Sequence, residues 1–440
     1  MPLEFGFAKE IITPAYGLPL RGYFNPRPNK GAYDDLAVKV VLFRTGTTIA
    51  GFASYDLCML SQELVERMIA KAKQAGLDFA DNVMFAATHT HTGPYIDSRC
   101  AKYVDELVAK TINALKRAAD SMAPAELLHA KTQCTTLAFN RRYWMKSGIV
   151  LTNPGKLNPQ IDRPEGNVDY DIQLFAVRQA GRLALLMANI VNHTDTIGGN
   201  IVSADWPGRM ERAIQAEIGY DIPVVTLVGP QGNINHFNVA TGADQTSYAE
   251  ACRIGKGYAA VINAALYQLL PLEVADIAVA NTIVEVPYYE VDDDQYTEAL
   301  KVYEKYKDEE MEDGRDFTSE DIARKHPFVL KYFAKRLIDC HDRPPRPKRL
   351  LRMLAIRLGQ QACFVSIPAE PFTEIGQDIK KRSKYAVTVP VALAQGAVGY
   401  VGYPEHYERG GYETSPSSET AGKYVGKTFV DTAIELIAKV

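Results

Sequence analysis

Two histidines one residue apart, His89 and His91, stand where an apolar run breaks off in the segment Asn82-Val-Met-Phe-Ala-Ala-Thr-His-Thr-His-Thr-Gly-Pro94. Imidazole is the commonest metal ligand and a proton carrier near neutral pH. In an extended chain, residues two apart point to the same side, so the spacing predicts a ligand and a neighbour in one site. The pattern returns at His193-Thr194-Asp195-Thr196, where an apolar run ends in a histidine beside threonine. Only eight histidines occur in 440 residues, so two such strand tips are expected to meet in space.

Other chemistry-bearing residues stand at similar places. Glu370 lies in Pro368-Ala-Glu-Pro371, a carboxylate on a rigid strand end. Asp205, in Ser203-Ala-Asp-Trp-Pro207, either favours a helix start or steadies an imidazole. The run Gly229-Pro-Gln-Gly-Asn-Ile-Asn235-His236 offers tight backbone and a further histidine. Arg141 and Arg142 precede Tyr143 and Trp144, which reads either as a basic loop stacked on aromatics or as a guanidinium fork for a substrate oxygen. Five tyrosines, Tyr385, Tyr400, Tyr403, Tyr407 and Tyr412, fall in a Gly-rich stretch, where packing is the plain reading.

Hydrophobic periodicity places these groups on an α/β scaffold: mixed β-sheets flanked by helices, with the metal site at strand ends. Residues 36–43 and 49–55 alternate and predict a hairpin, and a helix follows from Ser61 to a stop at Gly76. Val83 to Ala87 reads as a buried strand. Asp97 or Ser98 can cap the next helix. Residues 170–177 and 183–192 predict paired strands around Gln179-Ala-Gly181, and 223–228 a short buried strand. Residues 291–342 are charged and helically periodic, which predicts a helical insertion on the outside that carries no chemistry. The local basic run from Arg343 to Arg352 reads as a solvated connector.

Composition narrows the function classes. Hydrophobic residues make up 47% and charged residues 23%, with a net charge of −4, the balance of a globular protein without the basic excess of a nucleic-acid binder. Six scattered cysteines with no C-x-x-C pair argue against a thiolate zinc site and for reduced thiols. No apolar run approaches the length of a membrane span. The expectation is a soluble chain, cytoplasmic as given, or secreted or periplasmic if a leader was removed, with residues 1–440 forming one catalytic domain.

Taken together, these segments resemble the neutral (non-lysosomal) ceramidases, zinc-dependent amidases of N-acyl sphingosine. Asn82 to Pro94 is similar to that family's Thr-His-Thr-His-Ser-Gly-Pro segment, with Thr92 in place of Ser. His193-Thr194, Ser203-Ala-Asp205, Asn140-Arg141, Pro368-Ala-Glu370 and the tyrosine-rich stretch from Tyr400 to Tyr412-Glu413 resemble further motifs in the same order. The resemblance implies Zn2+ held by His89, His193, Glu370 and Tyr400, with His91, Arg141 and Tyr412 acting on the substrate. It implies hydrolysis of an amide bond in a small N-acyl substrate by a metal-activated water, a function in lipid metabolism.

Departures qualify the substrate. Asn235 stands near a family serine, and an amide side chain is not a competent nucleophile. Tyr95-Ile96-Asp97 replaces glycines, which predicts a narrower cleft mouth and an amide smaller or more polar than ceramide. The chain is shorter than the ceramidases, with no evident C-terminal β-sandwich domain. A metal-dependent esterase or other acyl hydrolase, and a non-catalytic binding protein on the same scaffold, remain the alternatives.

Overall fold

Largely buried strands alternate with amphipathic helices, and among the described residues they build three main sheets of four or five strands, each backed by helices, beside smaller two- and three-stranded ones. The computed structural model describes residues 2–310, 317, 321–322, 324–344, 347–415 and 421–440. The first sheet contains β1 (Glu4–Ile11), β2 (Ala37–Thr45), β3 (Thr48–Tyr55) and β4 (Val83–Ala87), in the order β4-β3-β2-β1 with Ala123–Pro124 at its edge. Along β4, Val83, Phe85 and Ala87 face the layer of α1 (Gln62–Gln74) and α2 (Ala101–Asp120). Met84 and Ala86 face inward, as strand alternation requires. Ser61 caps α1 through Leu64 N at 3.1 Å, as its position before the periodic run predicts.

The second sheet joins β5 (Glu126–Gln133), β6 (Asp171–Gln179), β7 (Arg182–Ile190) and β8 (Val224–Val228), with β7 and β8 parallel. Its outer face packs on α3 (Asp205–Ile218) and α4 (Tyr248–Ala265). The third sheet is β9 (Ile277–Val286), β10 (Arg349–Leu358), β11 (Ala362–Ile367) and β12 (Val387–Ala392), in that order. An insertion joins β9 to β10 and contains α5 (Asp293–Tyr306) and α6 (Pro327–His341). Two helices, α7 (Thr373–Arg382) and α8 (Val425–Lys439), cover the third sheet. The basic run from Arg343 to Arg352 is only in part a solvated connector: its last four residues open β10, where Leu351 is buried and Arg352 pairs with Glu66 at 2.9 Å, and residues 345–346 lie outside the described set.

The inner faces of all three sheets share one core. Phe364 on β11 meets Phe52 of β3 at 4.6 Å and Phe175 of β6 at 4.9 Å between ring centroids. Fixing three sheets to one aromatic cluster fixes their strand ends relative to each other. The C-terminal ends of β4, β7 and β11 therefore converge, which is where His89, His193 and Glu370 emerge. A bridge between Ala86 and Ala394 ties the end of β4 to the segment after β12. Among the described residues, no helix is long and apolar enough to cross a membrane.

Candidate active site

The first arm of the site begins where β4 stops at Ala87. The backbone does not stay extended: His89 has φ of 73° in the left-handed region, which is uncommon for a non-glycine residue. Strand alternation therefore does not bring His89 and His91 together. A tight loop does so, held by His89 N to Leu57 O at 2.9 Å and His91 N to Thr194 O at 3.2 Å. The two Nε2 atoms end 3.1 Å apart. Gly22 lies directly under His91, and a Cβ there would stand 2.6 Å from His91 Cα, so only glycine admits this approach.

The second arm leaves β7. His193 Nε2 lies 3.0 Å from His89 Nε2, so the two strand-tip histidines do meet. Asp205 does not hold an imidazole. Its carboxylate accepts Thr196 N at 2.9 Å, Ile197 N at 3.2 Å, Trp206 N at 2.6 Å and the Thr196 hydroxyl, and so clamps the loop after His193 to the start of α3. Trp206 Nε1 donates to His193 O at 2.8 Å, so the same clamp holds the histidine's own backbone.

The third arm carries Glu370 and Tyr400. They face each other in a short parallel pairing of Glu370–Pro371 with Tyr400–Val401. The Tyr400 ring stacks along His193, with centroids 6.4 Å apart at 20°. Tyr412 meets the Tyr400 ring edge-on at 5.7 Å. Next to it, the buried Glu413 accepts Arg141 Nε at 2.8 Å, Arg142 Nη1 at 2.9 Å and Thr152 Oγ1 at 2.7 Å. Arg141 also donates to Gly232 O at 2.7 Å, and its guanidinium lies 5.1 Å from the Tyr400 ring centroid. Arg142 is thus committed to carboxylate and carbonyl partners, whereas Arg141 also reaches the Tyr400 side chain and borders the cavity.

The donor set fits a divalent metal. Nδ1 of His89 lies 2.6 Å from Cys58 O, and Nδ1 of His193 lies 3.1 Å from both Gln231 O and Ile234 O. A nitrogen facing a carbonyl must carry the proton, so each Nε2 presents a lone pair. Glu370 Oε2, 3.1 Å from His89 Nε2 and 3.6 Å from His193 Nε2, accepts no hydrogen bond. Converging lone pairs repel unless a cation sits among them, and tetrahedral zinc with bonds of about 2.0–2.1 Å separates its ligands by roughly 3.3 Å. The observed spacings bracket that value.

The charges around the cluster call for a cation. Burial is the largest influence on His89 and opposes a second proton, but Glu370 and Cys58 together turn the net pull upward, toward a positive charge at the place where an ion would supply it. Burial, then Arg141 and His89, hold His193 well below the usual imidazole range. Burial raises Glu370, yet His89, His193 and Arg141 bring its carboxyl down to about 2. Burial and then His89 push His91 down to about 3, which keeps it neutral. Burial and then Glu370 raise the phenols of Tyr400 and Tyr412, which keeps Tyr412 an O–H donor.

The sequence reading missed the placement of Cys58 and Asp195, and the structure gives His236 and Asn235 supporting places. Cys58 places its thiol 3.9 Å from His89 Nδ1, so a cysteine does border the site. It sits on the Nδ1 side of the ring, whereas His193 and Glu370 sit on the Nε2 side. Asp195 pairs with His236 at 3.3 Å, while His236 Nε2 faces Gln245 O at 2.6 Å, so His236 supports Asp195 and lies off the cluster of His89, His193 and Glu370. Asn235 is buried, with its amide to Asn153 Oδ1 at 3.2 Å and its carbonyl accepting Phe237 N at 3.1 Å, bonds that hold a loop. The cavity over the cluster, about 190 Å3 and half open, is lined by His91, Arg141, Asp195, Tyr400 and Tyr412 together with Phe24, Tyr332 and Phe333.

Two expectations change accordingly. Tyr95 and Ile96 are buried in the core between the first sheet and α2, and Asp97 caps a short 3-10 turn through Arg99 N at 3.0 Å. None of the three borders the cavity, so they do not narrow it. The insertion does: α6 carries Tyr332 and Phe333 onto the site, contrary to its reading as remote surface.

Comparison with solved structures places this architecture in a known class. The chain has a neutral ceramidase-like fold. The crystal structure of neutral ceramidase from Pseudomonas aeruginosa superposes with a TM-score of 0.74 at 18% identity, covering 100% of this chain and 75% of that one. A structure described as ceramidase complexed with C2 gives 0.75 at 17% identity, covering 99% and 75%. No protein-family model and no curated protein sequence matches the chain.

Proposed function

We propose that the chain is a zinc-dependent amidohydrolase that cleaves the carbon–nitrogen bond of a small N-acyl substrate. The observation that carries this reading is the buried convergence of His89 Nε2, His193 Nε2 and Glu370 Oε2 at 3.0 to 3.6 Å, on a ceramidase-like fold. The shared core of the three sheets supports reading residues 1–440 as one catalytic unit.

In this reading, His89, His193, Glu370 and Tyr400 would hold the ion. Zinc, when bound, would supply a Lewis acid and bring the pKa of a water to about 7. His91, neutral and with its Nε2 3.1 Å from that of His89, is placed to hydrogen-bond and orient the attacking water. Tyr412 donates its O–H to the oxygen on which negative charge develops. Arg141 positions these groups by bridging Glu413, Gly232 and the face of Tyr400.

A panel of N-acyl amines and their matched esters, assayed before and after chelation, tests the proposal. Amide hydrolysis should disappear with chelation and return with zinc. Amide hydrolysis undiminished after complete metal removal would overturn it, and turnover of esters alone would replace the amidase with a metal-dependent esterase.

A further inference from the structure

The insertion between β9 and β10 is the part of the molecule that the chemistry above leaves unused. Its helix α6 starts from a defined N-terminus, with His326 accepting Phe328 N at 3.3 Å and Pro327 in the first turn. From there it delivers two neighbouring aromatics to the cavity. Tyr332 meets Phe24 edge-on at 5.0 Å, and Phe333 meets Phe24 at 6.0 Å. Phe333 also packs on Tyr412 at 6.1 Å, and Tyr412 in turn packs on Tyr400. An aromatic chain thus runs from the insertion to the residues beside the metal cluster.

The cavity this wall encloses is amphiphilic and small. Its lining combines His91 and the Asp195 carboxylate with the aromatic group of Phe24, Tyr332 and Phe333. An amide divides along the same line, because the amine half leaves as a cation that a carboxylate attracts, whereas the acyl half is apolar and buries best against aromatic faces. The volume, about 190 Å3, falls below the roughly 300–1,000 Å3 of sites that enclose drug-sized ligands. Phe333 and Phe24, in contact at 6.0 Å, stand on the wall that a longer acyl chain would meet.

We propose that Phe333 and Tyr332 of α6 set an upper limit on the acyl group, so that the substrate is an amine bearing a short or compact acyl chain. The inference rests on the amidase reading and adds a rule about size to it. Phe333 limits length because it packs against Tyr412 at 6.1 Å, with Phe24 and Tyr332 joined to it in one aromatic wall.

Two measurements on the full chain test it: hydrolysis of one amine acylated with acetyl, butyryl, octanoyl or palmitoyl groups, and calorimetric binding of the four corresponding free acids. The wild type should favour the short members in both. Phe333→Ala should raise the octanoyl-to-acetyl ratio of kcat/KM by about tenfold or more, the scale of a changed apolar pocket, and shift acid binding the same way. Tyr332→Ala should do so more weakly. Palmitoyl turnover equal to acetyl turnover in the wild type, or ratios unmoved in both variants, would overturn the size rule and leave the amidase reading standing. Short-acid binding that Phe333→Ala shifts, without hydrolysis of any amide, would overturn the amidase reading and support the size rule.

Discussion

Glu370 and Tyr400 stand directly opposite each other in a two-residue parallel pairing, with Pro371 opposite Val401 behind them. The pairing makes a carboxylate and a phenol from separate segments behave as one rigid edge beside His193. It also separates Tyr400 from Tyr412, which reaches the site from the loop anchored by Glu413.

The two tyrosines should therefore fail differently. Tyr400→Phe deletes an oxygen proposed to hold the ion and should weaken zinc retention, read as faster metal loss to a chelator. Tyr412→Phe deletes a donor and should lower kcat by roughly a hundredfold while leaving KM and zinc content near wild type. Identical metal retention and activity in both variants would reduce this tyrosine loop to packing.

Glu413 should matter through position. Glu413→Gln removes the charge shared by two buried arginines, and breaking a buried ion network costs about 3–5 kcal/mol. Chemical denaturation should register that loss, and activity should fall because Tyr412 is the adjacent residue. A variant as stable as wild type would show that Glu165, the second carboxylate on Arg142, compensates.

Asn235 should carry no covalent intermediate. Its side chain is spent on Asn153 and the backbone of Phe237. Asn235→Ala should lower stability by about 1–3 kcal/mol, the cost of leaving buried partners unsatisfied. Intact-protein mass spectrometry during turnover should find no acyl adduct on the Gly229 to His236 loop. An adduct there would contradict the water mechanism.

The strand tips were legible in the sequence because they depend on local signals: an apolar run, then threonine, histidine and a turn. Ser61 as a cap and the turn between β6 and β7 were legible for the same reason. The left-handed backbone of His89 was not, since strand alternation gives the same pairing of His89 with His91 by a different geometry. The pairing of Asp195 with His236, and the contact of Phe333 with Tyr412, join distant segments and leave no periodic trace. A charged helical stretch reads as solvated surface, and the face of α6 that turns to the cavity carries only two aromatics. Tyr95 to Asp97 misled for the complementary reason: bulky residues beside a site motif were read as lining, whereas the first sheet and α2 absorb them.

Metal content measured by elemental analysis on purified wild type, His89→Ala, His193→Ala and Glu370→Ala, each checked for folding, tests the central claim most directly. The geometry predicts about one zinc per wild-type chain and loss of that zinc in each folded variant. Full occupancy in all three variants, or a metal-free wild type that hydrolyses amides, would contradict it.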